Sequence, residues 1–301
     1  MKRFVCLILL VATVLGCTGC GGPKEKTIYC MDTVMQLQVW GTEAVMAIER
    51  LEALLMDQEK QWSATDPESL LNTGAKNEAL MTWALALSER TGGAYDPHLG
   101  AVTEAWGFYD KNYRVPTQKE LKAALAEEKW DMGGIAKGNA GSLCVRILET
   151  FSVDRALLNL GGNIQTYGTK ADGSPWIIGI QNPDGGDYIC TVEITGTMAV
   201  VTSGDYQRYF EQDGKRYHHI FDPKTGMPVS NGLRSVTVIC QDGATADALS
   251  TALFVMGLEE GTKLWQESTD FEAIFVTAGG VVYATEGLTI GGRCLVIDRE
   301  N

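Results

Sequence analysis

Positive charge is what this chain most conspicuously lacks. Its 301 residues carry 25 lysines and arginines against 38 aspartates and glutamates, a formal net charge of −13 with a pI near 4.7. Such a surface repels phosphate backbones, so no nucleic-acid partner is expected. A small anionic substrate would need a local positive pocket or a metal ion. Histidine is also scarce, at three residues. No second cysteine pair or histidine cluster completes the C-x-x-C of Cys17 and Cys20, which argues against a zinc or redox centre. The later cysteines, Cys30, Cys144, Cys190, Cys240 and Cys294, are scattered and read as small buried hydrophobes. Neither the Rossmann G-x-G-x-x-G nor the P-loop pattern occurs, and no nucleophile elbow supports a serine hydrolase. There is no fixed-period repeat, no low-complexity tract and no internal linker.

The N-terminus is rich in information. Lys2 and Arg3 precede the apolar run Phe4 to Leu15, which is broken only by Thr13 and is too short to span a bilayer. This is the pattern of a secretory signal peptide. Leu15-Gly16-Cys17-Thr18-Gly19-Cys20 follows and resembles a bacterial lipobox. Cys17 is the preferred acylation site and Cys20 the alternative. The expected organisation is a signal peptide over residues 1–20, a tether over 21–26 and one domain over 27–301. The expected location is the extracytoplasmic side of a bacterial cell membrane, held by a lipid anchor.

Met35 to Val39 alternates apolar and polar residues, the signature of a half-buried strand. Thr42 is placed to cap a helix whose apolar stripe is Val45, Ile48, Leu51 and Leu55. Further helices are expected over Met81–Arg90, after the capping box of Thr117 and Glu120, and from about Lys137 to Phe151. Short strand-like runs dominate after Leu157, interrupted by a helix over Ala244–Met256 that Gly257 stops. Helices first and strands later predict an α+β fold, with mixed or antiparallel sheets flanked by helices.

Three glycine-rich stretches sit between elements: Thr91 to Pro97, Asp131 to Gly138 and Asn159 to Asn163. Glycine permits close backbone approach to a ligand, and N–H groups at a helix start can hold phosphate oxygens. Asp131 to Gly138 is the sharpest, with a carboxylate, paired glycines and Lys137 at a helix entrance. Asp247 and Thr251, four residues apart, share one helix face and offer two oxygens to a hard cation; an ordinary N-terminal aspartate is the competing reading. His218 and His219 precede the turn Asp222-Pro223-Lys224-Thr225-Gly226, fit for acid–base work or simply a strand edge.

In this order, six segments resemble the FAD:protein FMN transferase (ApbE) family: Thr91 to Phe108, Asp131 to Gly138, Asn159 to Ile164, Thr202 to Phe210, His218 to Gly226 and Thr245 to Gly257. The resemblance implies an ApbE-type fold with FAD as substrate and Mg²⁺ near its pyrophosphate, held by Asp247, Thr251 and a backbone carbonyl near Gly134. It implies flavin and nucleotide contacts at Met31, Ala94, Tyr95, Asp96, Asp131, Lys137 and Phe221. It further implies transfer of FMN, through a phosphoester, to a threonine or serine of an acceptor flavoprotein outside the cytoplasmic membrane, with AMP leaving. His219 is the expected base and Lys137 the expected phosphate partner. The sequence departs from the family pattern at Leu70-Leu71, in a short segment between Leu121 and Asp131, and at Asn139 and Ser142. Two other outcomes use the same residues: hydrolysis of FAD to FMN and AMP, or a non-catalytic FAD-binding lipoprotein.

Overall fold

A computed structural model of the chain describes residues 22–74 and 78–299. The signal region with Cys17 and Cys20 lies outside the described residues. Polar–apolar alternation builds the first hairpin. β1 (Lys24–Cys30) and β2 (Thr33–Gly41) pair antiparallel through Met31 and Asp32, whose φ values of 50° and 62° are those of a turn matched to strand twist. The strand thus begins at Lys24, inside the stretch read as a tether. Only Ile28 and Cys30 of β1 are buried, so its charged start looks like linker while serving as a polar sheet edge.

α1 (Ala44–Trp62) buries Ala44, Ala47, Ile48, Leu51 and Leu55. Val45 lies outside this stripe and is exposed, because the small Ala44 and Ala47 complete the helical spacing instead. The expected Thr42 cap is not made: Glu43 takes the N-cap position, and its carboxylate accepts the Ser152 N–H at 2.6 Å. α2 (Leu70–Thr73), α3 (Glu78–Arg90), α4 (Gly100–Ala105) and α5 (Gln118–Ala124) follow, the last opened by the predicted capping box. After α6 (Ala136–Leu148) come β3 (Val153–Leu160), β4 (Asn163–Tyr167), β5 (Trp176–Gln181), β6 (Tyr188–Ile194), β7 (Ala199–Gly204), β8 (Tyr209–Gln212), β9 (Lys215–His218) and β10 (Leu233–Cys240). The chain ends with α7 (Gly243–Gln266), β11 (Phe271–Thr277), β12 (Val282–Thr285), β13 (Ile290–Gly291) and β14 (Leu295–Ile297).

The predicted α+β class holds. The main sheet has the order β1-β2-β3-β4-β7-β10-β11-β12-β14, antiparallel except for the β12–β14 pair. Its first two strands precede every helix, so the simple order of helices then strands does not. On one face α1 and α6 cover β1 to β3, while α7 covers β7, β10 and β11. A smaller sheet, β13-β6-β5, packs through Ile178, Ile180 and Val192 on the other face, against Ile239, Ile274 and Val276. β8 and β9 form a separate hairpin. Gly257 does interrupt α7, with φ 84° and ψ 178°, but helix resumes to Gln266. Asn231 Nδ2 donates to the Phe254 carbonyl at 2.7 Å, satisfying a group the break frees. Among the described residues the cysteines are free and mostly buried, and no helix is long and apolar enough to cross a membrane.

Candidate functional site

The site is organised by the meeting of α6 and α7 at their N-termini. Gly138 and Gly243 touch through their backbones: a Cβ on Gly138 would lie 1.9 Å from the Gly243 carbonyl oxygen. Only glycine at both positions permits this approach. It lets Asp247, in the first part of α7, accept the Gly138 N–H at 2.8 Å through Oδ2. Asp242 caps α7 by accepting the Thr245 N–H at 2.8 Å. Ser142, one of the departures from the family pattern, fastens the junction by accepting the Gly243 N–H at 2.7 Å and donating to Asp242 at 3.1 Å. Asn139, another departure, donates to Gln58 on α1 at 3.2 Å.

Asp247 is only 5% exposed, and burial raises its pKa against the opposing pull of Lys137, the Gly138 N–H and Asn163. One turn further on, Thr251 Oγ1 lies 3.2 Å from Ser203 Oγ, which also bonds Ser250 at 2.8 Å. A Cβ on Gly134 would sit 3.5 Å from that Thr251 oxygen and 3.2 Å from the Tyr95 ring. The structure therefore brings Gly134, Tyr95, Asp247 and Thr251 together from three separated segments. Tyr95 is 2% exposed, and its hydroxyl has no hydrogen-bond partner among the described residues. Burial, then the nearby Asp247, Asp131 and Asp96, hold its pKa well above the usual phenol value. The donors gathered here are oxygens, a chemistry suited to a hard cation. Among the described residues no group of three or more His, Cys, Asp or Glu side chains forms a metal cluster, so any cation would rest on a mixed set.

Asp131 shapes the adjoining loop. Its Oδ1 accepts the Gly133 N–H at 2.8 Å and its Oδ2 accepts the Thr103 hydroxyl at 2.8 Å. Asp96 holds its own turn through the His98 N–H at 2.8 Å, and Ala94 packs beside Tyr95 in the core under α3. Lys137 stands in the first turn of α6, where the helix dipole disfavours a cation. It is close enough to bias both Asp247 and His219.

The two histidines separate in role. His218 is buried, with Nε2 bonded to the Val229 carbonyl at 2.8 Å and Nδ1 accepting the Ile220 N–H at 3.2 Å. His219 is half-buried, and its Nδ1 lies 3.1 Å from the Arg208 carbonyl. A carbonyl only accepts, so Nδ1 carries the proton and Nε2 keeps its lone pair. Burial first, then the influence of Arg208, His218 and Lys137, pushes the His219 pKa down to about 3. Phe221 is 4% exposed and stacked on Trp106 at 5.9 Å, so it braces the site wall and shows little ring to a ligand. Met31 lies apart at the β1–β2 turn, its N–H donated to Glu59 at 3.0 Å. Sequence reasoning missed Asn163, Ser203, Thr103 and Arg208. All four fall within segments singled out above, but nothing in their spacing marks them as neighbours of Asp131, Asp247, Thr251 or His219.

A family model described as the ApbE family matches residues 31–275. The chain is 32% identical to the FAD:protein FMN transferase of Treponema pallidum over 95% of each chain. It is 36% identical to that of Klebsiella pneumoniae over 66% of this chain and 68% of the relative. The fold is similar to the crystal structure of an ApbE protein from Thermotoga maritima, with a TM-score of 0.80, 32% identity, and coverage of 88% of this chain and 97% of that one.

Proposed function

The chain belongs to the ApbE family, and from that membership we propose that it is a FAD:protein FMN transferase. The observation that carries the reading is the convergence at the α6–α7 junction: a buried carboxylate, a hydroxyl one turn on, and Lys137, which acts on both that carboxylate and a neutral imidazole. FAD is the substrate. The unpaired Tyr95 hydroxyl and the oxygen-rich set support a Mg²⁺ held by Asp247, Thr251 and the Gly134 backbone. When bound, that ion supplies neutralisation of charge on the phosphate oxygens. Lys137 pairs with the pyrophosphate, with the α6 N-terminus behind it. Ala94, Tyr95, Asp96 and Asp131 would bound the flavin and nucleotide region, with Phe221 bracing its wall, while Met31 stands apart at the β1–β2 turn.

His219 Nε2 takes the proton from a threonine or serine hydroxyl of the acceptor flavoprotein. The acceptor oxygen bonds to the FMN-side phosphorus, the bond from that phosphorus to the bridging oxygen breaks, and AMP leaves. Acylation at Cys17, or at Cys20, would hold the enzyme on the outer side of the cell membrane. Replacing each cysteine and following the protein between membrane and soluble fractions tests the anchor.

The transfer reading is tested by measuring AMP release with FAD and Mg²⁺, with and without an acceptor flavoprotein. Release that requires the acceptor is expected. Equal release of AMP and FMN without it would make the enzyme a hydrolase. His219→Ala should bind FAD normally and transfer roughly 10²–10⁴-fold more slowly, the usual contribution of a general base.

A further inference from the structure

Arg208 lies in the turn after β7, immediately before β8, and neither half of it is idle. Its carbonyl receives two bonds from one residue: the His219 N–H at 3.2 Å and the His219 ring at Nδ1, 3.1 Å away. A carbonyl oxygen has two lone pairs, so the contact is saturated and fixes both the backbone and the tautomer of His219. The guanidinium is anchored at one point, Nη2 donating to the Phe108 carbonyl at 3.2 Å. A guanidinium has five N–H donors in a planar fork. Among the described residues no carboxylate pairs with Arg208, whereas Arg90, Arg114, Arg216 and Arg234 each pair with one.

Arg208 is exposed, and what sets it apart is its place: its carbonyl holds the His219 ring while its guanidinium keeps free donors beside it. Arg208 and Lys137 reach the same imidazole from different elements, the β7–β8 turn and the first turn of α6. The Arg208 carbonyl touches that ring and Lys137 acts on it electrostatically, so an anionic group beside the ring would meet two cations.

We propose that Arg208 is a phosphate-binding residue of the catalytic site, its free guanidinium edge clamping the substrate's pyrophosphate opposite Lys137 while its carbonyl aims His219. The inference rests on the transferase reading above, and it adds a residue with two functions on one backbone position. The side chain sets where the phosphorus lies; the main chain sets where the lone pair points. Because the carbonyl role survives any side-chain change, the two are separable by mutation. A bidentate guanidinium–phosphate contact also carries geometry that a lysine ammonium cannot reproduce.

The test compares full-length wild type with Arg208→Gln and Arg208→Lys in detergent, by flavin fluorescence titration with FAD and with riboflavin, which lacks phosphate. Arg208→Gln should weaken FAD binding about tenfold or more while leaving riboflavin within about twofold, and Arg208→Lys should recover part of the FAD affinity. Since the carbonyl persists, the thermal melting of the three proteins should agree. Equal loss for FAD and riboflavin, or a lowered melting temperature, would make Arg208 structural and overturn the assignment. Unchanged FAD affinity in Arg208→Gln would overturn it as well. A wild type that binds riboflavin but not FAD would contradict the transferase reading itself.

Discussion

A carboxylate buried where two helices begin is costly to keep charged, and Asp247 is kept there. Its folded-state pKa is raised by burial, so its contribution to stability is full when protonated and is lost as pH rises through that value. Asparagine imitates the protonated form at every pH and can still accept the Gly138 N–H. Asp247→Asn should therefore melt above wild type at neutral pH in chelator, while losing transfer. A lower melting temperature would mean that the charge itself holds α6 to α7. His219 has the opposite sign. Held at about 3, below the usual value near 6.5, it stabilises fully above about pH 6.5, and that contribution is lost as pH falls towards 3. Lowering pH from 7 to 5 should thus destabilise wild type more than His219→Gln in chemical denaturation. An imidazole this weakly basic is neutral throughout the working range. A bound pyrophosphate opposes Arg208 and Lys137, so the acid limb of kcat should lie at higher pH than that of kcat/KM. Asp247 and Thr251 were legible because helical spacing puts i and i+4 on one face. Arg208 and Ser203 were not, because their partners lie in other segments and only tertiary packing joins them.

The α6–α7 junction depends on the absence of two side chains. A methyl on Gly138 would meet the Gly243 carbonyl oxygen at 1.9 Å and the Asp247 Cβ at 2.7 Å, with backbone on one side and no flexible neighbour to yield. Gly138→Ala should cost about 1–3 kcal/mol in stability, the range for overpacking, and should reduce transfer more than Asp242→Ala, which loses the α7 cap and the Ser142 contact but forces no backbone apart. Equal activity of Gly138→Ala and wild type would show that the helices can part without disturbing Asp247. By contrast, Thr117→Ala at the capping box of α5 should cost about 1 kcal/mol and leave transfer intact. That box was readable from two residues, as were the amphipathic face of α1 and the alternating β2. The elements that escaped reading are those with mixed patterns. β1 opens with Lys24-Glu25-Lys26, and the four-residue β8 and β9 place Phe210 and Tyr217 against the Trp106 cluster and bury His218, while Tyr209, Glu211, Gln212 and Lys215 are exposed. Gly257 was rightly a break, but no local signal tells that helix resumes beyond it.

At the scale of the whole molecule, the sheet is a platform whose helical face carries the site. β7 supplies Ser203, α7 supplies Asp247 and Thr251, α6 supplies Lys137, and the β8–β9 hairpin leads into His219. Residues distant in sequence meet because β4, β7 and β10 lie side by side under the two helices. The α+β class and the segments that carry the site were legible before the fold, since each glycine-rich or helical stretch has a local pattern. The strand order that assembles them was not, because pairing between strands far apart in sequence leaves no local trace. The acidic surface makes the local cations the more necessary: a dianionic substrate would find attraction at the α6 entrance and the Arg208 turn. The most direct measurement mixes the purified protein with FAD, Mg²⁺ and an acceptor flavoprotein, then weighs the acceptor by mass spectrometry. A covalent FMN adduct is expected with wild type and should disappear with Asp247→Ala. An unmodified acceptor beside intact, bound FAD would contradict the transferase assignment and leave a flavin-binding protein.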